Sequence, residues 1–180
     1  SLDDIKAWFV KTWELKNEND LSLEKCASAK GIQQIYGNFV GMTVGELNKK
    51  EIYPVKIRER ALADEKPAIK TFEILAENLA LLIYERLTTI YAGWQGLFSF
   101  VNPNRAVPGK EHDYKGTLLD SVIIGQRLGD LFHVSKDDNL LWQPFFQRLS
   151  YLIMKSDVLD VEAKEYYCPG DQFDQKLLII

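Results

Sequence analysis

The sequence predicts an all-α fold: an irregular bundle of five to seven helices around one long central helix. Three observations predict it. First, residues 67–101 carry a stripe of apolar side chains at helical spacing, running Ile69, Phe72, Ala76, Leu79, Ile83, Leu87, Ile90, Trp94, Leu97 and Val101. That is about nine turns of sustained period 3.6. Second, runs of strict apolar–polar alternation, the mark of half-buried strands, are few. Third, the chain has 180 residues, 46% of them hydrophobic and 27% charged. That is enough to close a sizeable core without disulfides or metals. One helical domain over residues 1–180 is expected, with 1–65 as the stretch that could stand as an N-terminal subregion.

From the N-terminus, residues 2–15 read as a helix, with Ile5, Trp8, Phe9, Thr12 and Trp13 on one face. Asp3 and Asp4 sit near its start, where acids suit the helix dipole. The polar stretch KNEND at 16–20 breaks it. A second helix is expected near Ser22. Gly31, Gly37, Gly41 and Gly45 follow at spacings of 6, 4 and 4. They either permit close helix packing or mark loops, and both readings stay open. The basic stretch KKEIYPVKIRER at 49–60 alternates imperfectly at Ile52, Val55 and Ile57. A short strand is conceivable there but not favoured.

Pro67 suits the first turn of the central helix. Extra apolar residues at Ile74, Leu75, Leu81 and Leu82 thicken its stripe and make it the most buried element. Gly93 and Gly96, on either side of Trp94, are the points that would kink or end it. Residues 101–116 hold two prolines, two glycines and two asparagines and read as loop. A helix is expected over about 117–133, then a turn at SKDDN. The last strong helix is QPFFQRLSYLIMKS, with Pro144 tolerated in its first turn. The tail after Asp157 is mixed, with a turn at CPGD. Trp8, Trp13, Trp94 and Trp142 lie in apolar-periodic contexts and read as core or interface anchors rather than stacking platforms for bases.

Composition narrows the function classes. A formal net charge of −4 is not that of a generic, charge-driven nucleic-acid binder. Asp3, Asp4 and Lys6 interrupt any leader-like apolar run, and no uninterrupted run approaches a membrane span, so a cytoplasmic protein is expected. Cys26 and Cys168 lack C-x-x-C spacing and read as two reduced thiols. No P-loop, G-x-G-x-x-G or G-x-S-x-G is present, and no cofactor is expected. Glu111, His112 and Asp113 adjoin in a loop, but adjacent residues of an extended loop cannot all point at one metal. No H-x-x-x-H or E-x-x-H partner exists elsewhere, so no metal site is expected.

The stretch IIGQRLGDLFH, residues 123–133, holds the one arrangement with possible chemistry. On a helical wheel Leu118, Ile124, Leu128, Leu131 and Phe132 fall on one side. Gln126, Arg127, Asp130 and His133 fall on the other, with Leu119 and Ile123 among them. Asp130 lies at i,i+3 from both Arg127 and His133, so a local salt bridge on an amphipathic helix is the plain reading. The functional reading pairs a proton-moving histidine with a phosphate-gripping arginine.

Arg-x5-His on a late helix resembles the HEPN superfamily of ribonucleases and defence toxins. IYAGWQGLFSFV at 90–101 is similar to a tyrosine-alanine-x-tryptophan-acid-glycine stretch of one HEPN branch. The resemblance covers about the second half of the chain. Leu128 stands where the family usually has a polar residue, and Gln95 where it usually has an acid. Arg105 and His112 also satisfy Arg-x6-His, inside a loop. The resemblance implies a dimer, RNA as substrate, metal-independent cleavage, Arg127 and His133 as catalytic residues, and Asp130 as an accessory one.

Three functions stand in order. The first is a helical protein acting through contacts with a partner protein or itself, as a regulatory, adaptor or immunity-type module. The second is a HEPN-type metal-independent endoribonuclease or an inactive relative. The third is a small-molecule-binding helical domain.

Overall fold

The computed structural model describes residues 15–16, 27–96, 99–100, 111–175 and 178–179. The fold is all-α, with seven α-helices among the described residues. The expected N-terminal helix at 2–15, the break at 16–20 and the helix start at Ser22 lie outside the described residues, Leu15 and Lys16 apart.

Helix α1 (Ala29–Val40) starts at Ser28, whose hydroxyl accepts the Gly31 N–H at 3.0 Å, and ends at Gly41 with φ 67°. The glycines therefore divide between the two readings. Gly31 and Gly37 lie inside α1, and a Cβ on Gly37 would meet the Met42 carbonyl oxygen at 2.3 Å. Gly41 terminates α1, and Gly45 lies in the first turn of α2 (Val44–Lys49). Thr43 and Glu46 form a capping box at the start of α2. The basic stretch is helical: α3 (Pro54–Leu62) opens on Pro54. Its fixed φ and missing N–H suit a first helical position and remove the strand alternative.

The central helix α4 spans Lys66–Ala92. Its expected end at 101 is corrected to Ala92. Gly93 takes φ 82°, a conformation that costs other residues, and Trp94 is buried beyond the helix. Leu97 and Val101 lie outside the described residues.

The helix expected over 117–133 is likewise corrected. Helix α5 covers Gln126–Val134 only. Upstream, Val122–Ile123 (β3) pairs in parallel with Leu178–Ile179 (β4). The Tyr167 hydroxyl accepts the Leu119 N–H at 2.9 Å, which a helix would have used itself. The β-branched run Val122, Ile123, Ile124 followed by Gly125 favours this extended path. Leu119 and Ile123 are therefore not part of the α5 wheel. A second two-residue pair joins Leu15–Lys16 (β1) to Ser99–Phe100 (β2), antiparallel.

Helix α6 (Trp142–Met154) carries Pro144 in its first turn, and α7 (Val161–Tyr167) is capped by Asp160. A single 3₁₀ turn, Pro169–Asp171, follows.

The core lies between α4 and α6, with α3 and α1 closing the other side of α4. Phe72, Leu75, Leu87, Phe145, Leu149 and Ile153 are all but inaccessible to water. Phe132 of α5 joins it edge-on to Phe145, with ring centroids 5.1 Å apart. Trp142 is buried in the same cluster, as its apolar-periodic context predicts. Among the described residues no helix is long and apolar enough to cross a membrane.

Candidate functional site

The first turns of α1 and α3 and one face of α5 enclose a cavity of about 850 Å³. Each wall follows from its sequence. Helix α5 puts Leu131 and Phe132 into the core and leaves Leu128 half-buried, so its opposite face must look outward. Leu128, Leu131 and Ile32 of α1 form the apolar side of the cavity. Its rim carries apolar residues left in water: Tyr53 is 50% exposed, Val55 62% and Val134 43%.

Two polar contacts hold the walls in place. The Gln33 side-chain amide donates to the Asn48 side-chain oxygen at 2.9 Å and to the Ile52 carbonyl at 2.8 Å. That fixes α1 to the α2–α3 turn. Arg58 of α3 donates to the Val134 carbonyl at 3.0 Å and pairs with Asp138, joining α3 to the end of α5. Arg58 Nε is buried with no hydrogen-bond partner.

Arg127 and Asp130 both line this cavity; His133 is exposed on α5 and does not. The expected salt bridge does not form: among the described residues Asp130 pairs with neither Arg127 nor His133. All three are solvent-exposed, and an exposed i,i+3 pair gains only about 0.2–0.5 kcal/mol. Arg127 and His133 are six positions apart, or about 9 Å along the helix axis and about 120° around it.

The start of α5 is unusual. Gln126 has φ 58°, Gly125 gives no side-chain cap, and the first turn holds no acid. Helix α3 also begins without a side-chain cap or a first-turn acid. Sequence reasoning missed Lys30, Tyr53, Val55 and Arg58, which all line the cavity. The signal for three of them was the basic stretch 49–60, where bases enter the first turns of a helix that begins at proline.

The other candidates resolve as structural. His112 closes the 111–116 loop onto α4. Its Nδ1 accepts the Tyr114 N–H at 3.1 Å, so Nε2 carries the proton and donates to the Thr89 carbonyl at 2.9 Å. Glu111 pairs with Lys115 at 2.8 Å instead of meeting His112 at an ion. No cluster of three or more His, Cys, Asp or Glu able to hold a metal occurs among the described residues. Cys168 is free and buried, and burial pushes its thiol up to about 12, which leaves it unreactive. Cys26 lies outside the described residues.

Glu85 is fully buried on α4. It accepts the Thr89 hydroxyl at 2.7 Å and meets Arg86 Nε at 3.3 Å, and burial raises its carboxyl above the usual range.

Comparison of the chain with protein-family models, with curated proteins and with solved structures gives no match.

Proposed function

We propose that this protein is a binding module whose α1–α3–α5 groove seats an apolar segment of a partner protein. One observation carries the reading: a cavity of about 850 Å³ has apolar walls and an apolar rim left in water. Apolar surface gains free energy when covered, at about 25 cal/mol per Å². Contiguous exposed apolar surface framed by charge is the usual form of a contact site. Lys30, Arg58, Arg127 and Asp130 supply that charged frame.

A photo-crosslinking residue at Val55 tests this in cells that express the protein. A control goes at Val161, which is 84% exposed on α7, away from the groove. The expected result is one discrete adduct at position 55, absent at 161 and lost with Leu128→Glu. Equal labelling at both positions, or none at 55, overturns the reading.

A second reading is metal-independent RNA cleavage by two copies of the chain, and it is favoured by Arg127 and His133 being exposed and unpaired among the described residues. Their separation around α5 leaves room for a reaction in which the histidine of one copy and the arginine of another meet one phosphodiester. The expected signature is EDTA-resistant cleavage of single-stranded RNA, lost in both Arg127→Ala and His133→Ala with unchanged melting. Full activity in either variant removes this reading.

A further inference from the structure

We propose that the cavity between α1, α3 and α5 binds an organic oxyanion, a carboxylate or phosphate on an aromatic or branched apolar body. Lys30 and Arg127 hold the charge, and Ile32, Leu128 and Leu131 hold the body. The proposal deepens the groove reading by naming the chemistry of what enters it.

The argument starts with charge. Lys30 and Arg127 line the cavity from different helices, and among the described residues neither makes an ion pair or a side-chain hydrogen bond. One carboxylate, Asp130, lines it too, a turn further along α5. The third cation, Arg58, already has Asp138 and the Val134 carbonyl, so it positions the walls. Among the described residues the balance is two free cations against one carboxylate, in a chain whose net charge is −4.

The backbone points the same way. Helix N-termini favour acids, yet the first turns of α1 and α5 hold none and carry Lys30 and Arg127 into the cavity lining. A base at that place is locally unfavourable, and an arriving anion would relieve both. Lys56 in the first turn of α3 lies outside the lining and pairs with Glu59. The apolar wall then sets the rest of the ligand: inorganic phosphate would leave Ile32, Leu128 and Leu131 uncovered.

The test is an amide NMR titration of the full chain at constant ionic strength. The probes are phenylacetate, phenyl phosphate and the neutral 2-phenylacetamide. Expected are saturable shifts at the amides of Lys30, Val55, Arg127 and Leu128 with both anions and none with the amide. Tighter binding of phenyl phosphate assigns a phosphorylated ligand, and tighter binding of phenylacetate a carboxylate. Arg127→Glu and Lys30→Glu should each weaken binding about tenfold, as loss of a charge-assisted contact does. Asp130→Asn should tighten it. All three positions are exposed, so the variants should melt like the parent. Equal response to the neutral probe, shifts centred elsewhere, or charge reversal without effect overturns the proposal. The crosslink at position 55 separates the two readings. Crosslinking without anion binding removes this inference alone. Anion binding without the crosslink removes the partner protein and leaves a small-molecule site.

Discussion

The α4–α6 interface and the α1–α3–α5 groove draw on the same residue types and end in opposite states. Between α4 and α6, phenylalanines and leucines meet until no water reaches them. In the groove, Ile32 and Leu131 are as buried, but Tyr53, Val55 and Val134 beside them stay in water. Helix starts vary across the fold. Helix α2 begins with a capping box and α7 with a carboxylate cap and Glu162 in its first turn, while α3 and α5 begin with neither. Side-chain caps do not separate the two regions, because α4 and α6 of the core also begin with neither. Packing does: it is complete in the core and left open around one cavity, the distribution expected when stability yields to binding.

The comparison breaks first at the core. Leu87 is 1% exposed, so Leu87→Ala should cost about 2–5 kcal/mol in urea unfolding. A loss below about half a kcal/mol would put the core elsewhere. Next comes the tie between α3 and α5. Arg58→Ala strands the largely buried Asp138 carboxylate and should cost about 1–3 kcal/mol. Adding Asp138→Ala should recover part of that loss if the pair couples as the geometry requires.

Smaller still is a complete helix start. Thr43→Ala removes the hydroxyl half of the α2 capping box, leaving the residue-43 N–H on Glu46, and should cost about 1 kcal/mol by thermal melting. Asp160 adds a pH signature. The Tyr91 hydroxyl, and then the Ala163 N–H, hold its carboxyl below the usual range. A depressed carboxylate stabilises the fold above its unfolded pKa, and that contribution is lost as pH falls through the folded value. Asp160→Asn should therefore lose less melting temperature than the parent on acidification below about pH 4.

The smallest effect sharpens the comparison most. Gly125 sits at the α5 N-cap in extended conformation with open space around its Cβ. Gly125→Asp would supply the missing cap and should raise stability by a few tenths of a kcal/mol. The same carboxylate would put a negative charge two residues from Arg127, so phenylacetate binding should weaken. A gain in stability with unchanged binding would separate the α5 start from the site.

Local periodicity made much of the fold legible. The stripe from Ile69 to Ile90 and the run of α6 are properties of neighbouring residues three and four apart, and burial of one face follows wherever such a stripe finds a partner. The α4 terminus at Gly93 was also marked in the sequence, because backbone permissiveness is a local property. Arg127, Asp130 and His133 were placed on one helix, expected over about 117–133 and found over Gln126–Val134.

What tertiary structure decided depends on distant residues. The segment 117–125 lost its helix to the Tyr167 hydroxyl and to pairing with Leu178–Ile179, over fifty residues away. No window on 117–125 contains those partners. The cavity is of the same kind. Lys30, Tyr53 and Arg127 line one space only because α4 holds α1 and α3 together and Arg58 reaches Val134 and Asp138 on the far side. Sequence sets which side chains can bind, and packing of elements far apart in the chain sets which of them face the same ligand.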